Sequence, residues 1–200
     1  MAIIVIGGST KGAGKTTLVC GLVAALPEFR WNAVKITTHK HGEYPPIWEE
    51  KLPGENSDTA RYLAAGAERA FLVTPPNQQR SDQPELAPLL DELWPNFGRG
   101  THLIFESNSV VHYVRPDVCL MIHAGPKREL PLPERKPSFL AALNHADALV
   151  AVSDANRIIP DGLSLPGEAP KQVFHLEALK RVSPEMLAWV RQLLPPPLGP

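Results

Sequence analysis

Lys15 and Thr16 stand directly after Gly12-Ala13-Gly14, and the whole turn Gly7-Gly8-Ser9-Thr10-Lys11-Gly12 follows an apolar run, Ile3-Ile4-Val5-Ile6. Glycines at this density let successive backbone N–H groups converge on one anion, and a helix opening at Gly14 would add its partial positive charge. In that geometry Lys15 reaches the β- and γ-phosphates of a nucleoside triphosphate, and the Thr16 hydroxyl sits on Mg²⁺. The strict spacing of such a loop wants glycine at position 9. Ser9 stands there, small enough to keep the turn while Gly7, Gly8 and Gly12 supply the freedom it lacks. The candidate binding set is therefore Gly8, Ser9, Thr10, Lys11, Gly12, Ala13, Gly14, Lys15, Thr16 and Thr17. Lys11 is a solvated or phosphate-steering charge.

Other residues could complete the chemistry. Glu106 ends an apolar run and is the candidate acid for Mg²⁺, directly or through water, because a carboxylate beside bound triphosphate supplies counter-charge to the metal. Asp58 is the competing metal- or water-positioning acid, and capping a helix is its equal alternative. Arg61 lies one helical turn later, as a phosphate or substrate contact or as a surface cation. His39, Lys40 and His41 form a basic cluster suited to a cationic lip. The remaining histidines are scattered, and no spacing of Cys and His matches a zinc site. Catalytic roles fall to Lys15, Glu106 and Asp58, and metal ligation to Thr16 and Glu106. Residues Ser153-Asp154-Ala155-Asn156 carry no Asn-Lys-x-Asp base reader, so guanine and adenine stay undecided.

The elements needed to place these groups follow from the periodicities. Strands are expected at 3–6, 31–38, 69–74, 101–105, 116–122, 148–153 and 171–176, with Lys35 near a strand end or a sheet edge. Helices are expected at 17–26, 59–65 (capped by Ser57 or Asp58), 82–94, 138–145 and 184–194. Residues 43–57 form a long Pro- and Glu-rich loop, 127–136 a charged loop, and 195–200 a flexible tail. Alternating strands and helices predict one α/β domain over residues 1–200. Its mainly parallel sheet carries helices on both faces, in the P-loop nucleoside triphosphate hydrolase fold. Ligands in such sheets bind beyond the carboxyl ends of the strands, so Gly7 to Thr16, Thr37 to His41, Glu106-Ser107-Asn108 and Ser153-Asp154 should converge.

Composition sets the outer bounds. With 20 basic and 21 acidic residues in 200, a net charge of −1 gives no global field for nucleic acid or an anionic membrane. The 22 prolines fall largely in connections. Cys20 and Cys119 are expected as buried free thiols in a reducing compartment. No signal peptide is readable and no run approaches the roughly 20 apolar residues of a membrane span, so a cytoplasmic location is expected.

A family resemblance adds to this reading. The segment Asp58-Thr59-Ala60-Arg61-Tyr62-Leu63-Ala64-Ala65-Gly66-Ala67 resembles the Asp-Ser-aromatic-Arg helix of adapter protein B of molybdopterin-guanine dinucleotide biosynthesis. The loop Gly12 to Thr17, the turn His39-Lys40-His41, the acid at Glu106 and the strand leading to Asp154 are similar as well. Glu106-Ser107-Asn108 departs from that family, which follows its acid with glycine. The resemblance implies a SIMIBI-class P-loop protein that binds GTP with Mg²⁺ and hydrolyses it weakly. It further implies a homodimer and a partnership with a molybdopterin guanylyltransferase and molybdopterin itself. It would give Lys15, Thr16, Asp58, Arg61 and Glu106 nucleotide, magnesium or cofactor roles. Two other functions fit the same loop. One is a small-molecule kinase or ligase-like ATPase, which would resemble the dethiobiotin synthetase or lipid A disaccharide kinase groups. The other is a binding-only switch.

Overall fold

A computed structural model of the chain describes residues 1–38, 44–75, 85–124, 137–152, 172–176 and 182–197. Eight strands form one sheet: β1 (Ile3–Gly8), β2 (Trp31–Ile36), β3 (Ile47–Glu50), β4 (Arg69–Val73), β5 (His102–Glu106), β6 (Val118–Ala124), β7 (Ala148–Val152) and β8 (Gln172–Leu176). Their order across the sheet is β3-β4-β2-β5-β1-β6-β7-β8. Every pairing is parallel except that of β3 with β4. Among the described residues five α-helices accompany them: α1 (Lys15–Ala25), α2 (Asp58–Ala64), α3 (Ala87–Leu93), α4 (Pro137–Leu143) and α5 (Pro184–Leu193).

The apolar runs of the central strands are buried on both faces, and their alternation sorts them into two cores. Ile4, Ile6, Trp31, Ala33, Ile104, Leu120 and Ile122 face one way, against Leu18 and Leu22 of α1, Tyr62 of α2 and Met186 and Val190 of α5. Val5, Val34, Phe105, Cys119 and Met121 face the other way, against Leu89 and Leu93 of α3 and Phe139 of α4. Helices thus cover both faces, as the alternation of elements predicts. Among the described residues no helix is long and apolar enough to cross a membrane.

The expected loop at 43–57 needs correction, because it contains strand β3. Prolines 45 and 46 and the run of glutamates made the segment read as irregular. Instead Ile47 packs on the second core, and the Trp48 ring meets that of Tyr44 at a 44° tilt, with 4.9 Å between ring centroids. An edge strand with one charged flank tolerates this composition. Glu49 accepts a hydrogen bond from Arg69 Nε at 2.7 Å, and Glu50 accepts one from the Ser57 hydroxyl at 3.0 Å, tying the strand to β4 and to the start of α2. The Arg69 hydrogen bond, aided by Lys51 and opposed by partial burial, draws the Glu49 carboxyl from its ordinary 4.5 down to about 2. Its contribution to stability is therefore full above pH 4.5 and is lost as the pH falls toward 2. Glu49→Gln should flatten this acid-side loss and cost about 1 kcal/mol at neutral pH. Urea unfolding across that pH range checks it, and a pH profile equal to wild type would contradict it.

The other differences lie at element ends. Lys15 opens α1 rather than Thr17, and α3 begins at Ala87, followed by a 3-10 turn over Trp94–Asn96. Residues 82–84 of the expected 82–94 helix, the 127–136 loop, Ser153 to Asn156, Lys171, and 198–200 of the expected tail lie outside the described residues. Cys20 and Cys119 are free thiols as expected, but only Cys119 is fully buried. Burial pushes Cys119 up to about 12 and Cys20 to about 11.

Candidate functional site

The sheet register builds the site at the carboxyl ends of its central strands. β5 lies between β1 and β2, so Glu106 pairs in register with Ile6 on one side and with Lys35 on the other. Alternation fixes where their side chains go. Trp31 and Ala33 face the α1 side of the sheet, and so does Ile104. Two residues further on, Lys35 and Glu106 occupy the same face, where the strands end and the apolar core stops. A core-facing position at a strand's rim thus carries a charge on two adjacent strands.

The turn between β1 and α1 closes over this rim. Gly12 and Gly14 have φ of 78° and 98°, a left-handed conformation that a side chain at either position would strain. Asn108 bridges the exit of β1: its Oδ1 accepts from Gly8 N at 2.8 Å, and its Nδ2 donates to Gly8 O at 3.1 Å. Helix α1 starts at Lys15 with no side chain capping it, so its first turn presents backbone donors to the cleft. The Lys15 ammonium donates to the Thr10 carbonyl at 3.1 Å, folding over the turn. Uncapped donors at a helix start beneath a lysine suit a polyphosphate.

Behind the loop sits a cluster of charges. Thr16 Oγ1 donates to Glu106 Oε2 at 2.7 Å, and the Tyr62 phenol donates to the same oxygen. The Lys35 ammonium donates to Glu106 Oε1 at 3.2 Å and also to Asp58 Oδ2. Arg61 stands 3.7 Å from the other oxygen of Asp58. Burial opposes the charge on Lys35, yet Glu106 and Asp58 outweigh it and hold the ammonium above its usual pKa. Burial likewise pushes the Asp58 carboxyl up, but Lys35, with smaller help from Thr16 and Arg61, holds it below its usual value. Tyr62 is fully buried, and burial together with the Glu106 charge raises its phenol well above 10, so it stays a donor.

Tyr62→Phe removes this donor and leaves the ring in place. A hydrogen bond to a buried carboxylate contributes roughly 1.5–3 kcal/mol, so the variant should unfold about 2 kcal/mol more easily in urea. Unchanged stability would contradict the geometry.

The cleft enclosed by these elements has a volume of about 480 Å³. Gly8 to Gly12, Gly14 to Thr17, Thr37, Thr38, Asp58, Arg61 and Glu106 to Ser109 line it, together with Lys35, Ile36 and Ser138. Three of the four expected segments therefore converge. Ala13, expected in the binding set, is buried behind the loop instead of lining the cleft. Lys11 is exposed at its mouth. Ser57, not Asp58, caps α2: its hydroxyl accepts from Ala60 N at 3.0 Å, leaving the Asp58 carboxylate free to enter the cleft. His39, Lys40, His41, Ser153 and Asp154 lie outside the described residues.

Lys35 is expected near a strand end or a sheet edge, with no role in the site. It does lie near the end of β2, but in the interior of the sheet and in the middle of the site. The signal was present: Trp31-x-Ala33-x-Lys35 alternates into the core, and the analogous Ile104-x-Glu106 does the same.

The donor set fits Mg²⁺. A hydroxyl and two carboxylates on one side of a cleft are hard oxygen ligands of the kind that hold this ion together with substrate phosphates. Among the described residues no group of three or more His, Cys, Asp and Glu could hold a metal ion unaided.

No family model matches the chain, and no curated protein matches it in sequence. Its fold, however, is similar to that in the crystal structure of HypB from Helicobacter pylori in complex with nickel, at 16% identity. The TM-score is 0.56, and the match covers 96% of this chain and 84% of that one. With the parallel sheet and the turn between β1 and α1, this likeness identifies the architecture as the P-loop nucleoside triphosphatase fold.

Proposed function

We propose that the chain binds a nucleoside triphosphate with Mg²⁺ in this cleft and hydrolyses it slowly. The observation that carries the reading is the combination of an uncapped α1 beneath Lys15 with Thr16 hydrogen-bonded to Glu106. Backbone N–H groups of the loop and the Lys15 ammonium would hold the phosphate oxygens and oppose the charge that spreads over them during in-line transfer. Mg²⁺ would add charge neutralisation at the phosphates. Thr16 and Glu106 are its proposed ligands, and Asp58 orients water beside it. Arg61 is a proposed phosphate or substrate contact.

At a finer level, GTP is the proposed nucleotide, and the protein is an accessory of molybdopterin guanine dinucleotide assembly. It would act as a cytoplasmic homodimer beside a molybdopterin guanylyltransferase. Support for this comes from the segment Asp58 to Ala67, whose helix α2 carries Asp58 and Arg61 at the cleft and the buried Tyr62 beside them.

Arg61 pairs with Glu55 at 3.5 Å as well as with Asp58, and both pairings hold it beside its own helix. Unaided hydrolysis should accordingly be slow. Single-turnover assays with GTP and ATP, with and without molybdopterin, test the whole reading. Phosphate released to water at well below one turnover per second is the expected result. Phosphate transferred to an added acceptor would favour a small-molecule kinase, and turnover at tens per second would contradict the account.

A further inference from the structure

Between the two carboxylates of the cleft lies a lysine to which phosphate binding assigns nothing. We propose that Lys35 is a resident counter-ion of the magnesium seat, which keeps divalent metal out of the nucleotide-free protein and gives way when metal and polyphosphate arrive together. This rests on the phosphate-binding reading of the same cleft.

The geometry is that of a shared seat. Lys35 touches Asp58 and reaches Glu106 at 3.2 Å, while Thr16 contacts the opposite oxygen of Glu106 at 2.7 Å. A metal ion held by Thr16 and Glu106, with a bound water on Asp58, would compete with the ammonium for both carboxylates. Only 14% of the Lys35 side chain is exposed, so its attraction to those carboxylates is weakly screened. Without that cation, two acids would face each other at the bottom of the cleft and attract any divalent ion.

The seat is also incomplete for a metal. Mg²⁺ demands six oxygens, and Thr16 and Glu106 leave the remainder to water or phosphate. A metal entering alone would therefore displace a well-placed ammonium in exchange for a poor coordination shell. A metal entering with polyphosphate gains phosphate ligands. Lys35 lines the same cleft, so the displaced ammonium gains phosphate oxygens in its turn. Each event favours the other, and the resulting coupling is reciprocal: nucleotide tightens metal binding by the same factor as metal tightens nucleotide binding.

Mn²⁺ binding to the folded, nucleotide-free protein, read by electron paramagnetic resonance, tests this directly. Lys35→Met should bind Mn²⁺ at least about tenfold more tightly than wild type, since one unit charge in contact with the seat is removed. Lys35→Gln, which keeps a polar end in the buried position, should shift the same way and serves if the methionine variant does not fold. Adding a non-hydrolysable analogue of GTP or ATP should tighten Mn²⁺ binding far more in wild type than in either variant. Equal or weaker Mn²⁺ binding by the nucleotide-free variants would overturn the role of Lys35. Failure of wild type to bind either analogue at millimolar concentration would instead remove the phosphate-binding reading, and the nucleotide-free comparison would still decide the counter-ion.

Discussion

Replacing Lys15 with alanine should weaken binding of GTP and ATP by about 100-fold, the effect of losing roughly 3 kcal/mol of charge-assisted hydrogen bonding. Apart from Lys11 and Lys15 the loop is built from backbone and small side chains, and the substitution removes the contact of Lys15 with the Thr10 carbonyl. Gly12 and Gly14 keep their left-handed conformation, and Asn108 still clamps Gly8. The Lys15 side chain is partly exposed and lines the cleft. Stability should change little while affinity collapses. Parallel titration and urea unfolding separate the two, and an affinity within threefold of wild type would contradict the assignment.

The second large effect belongs to Glu106. Its two oxygens face different partners: one accepts from Lys35, the other from both Thr16 and Tyr62. Glutamine offers a single acceptor, so its amide must turn an N–H toward the Lys35 ammonium or toward two hydroxyl donors. Either way a buried donor loses its acceptor. Glu106→Gln should lower affinity for Mn²⁺ in the presence of nucleotide by about 10- to 100-fold, and slow turnover in step. Thr16 alone would remain of the two proposed ligands. If nucleotide-supported Mn²⁺ binding stayed at the wild-type level, Glu106 would be a structural acid and not a metal ligand.

Much of this site could be read from residue order. Loops at the carboxyl ends of parallel strands share one rim, so Gly8 to Thr17, Thr37 and Glu106 to Asn108 had to meet once the strands were recognised. What escaped did so for physical reasons. Strand β3 hides in a segment rich in proline and glutamate, because its stability comes from pairing with β4 and from Arg69, neither of which is local. Asp58 was ambiguous because Asp and Ser both cap helices, and only the contact of Ser57 with Ala60 N decides between them. Lys35 is expected near a strand end or a sheet edge, and it does lie near the end of β2, but in an interior strand of the sheet. In this sheet the partner that compensates it, Glu106, arrives from a strand 71 residues away. The edge alternative does not hold at a position where two buried charges answer each other, and that position is the site itself.

The claim beneath all of this is that the turn between β1 and α1 grips a polyphosphate. Titration of the wild-type protein with GTP and ATP in the presence of Mg²⁺, with inorganic triphosphate as competitor, tests it most directly. The account predicts saturable binding in the micromolar range for at least one nucleotide, displaced by triphosphate. No detectable binding of either nucleotide at millimolar concentration, or binding that triphosphate leaves untouched, would contradict it.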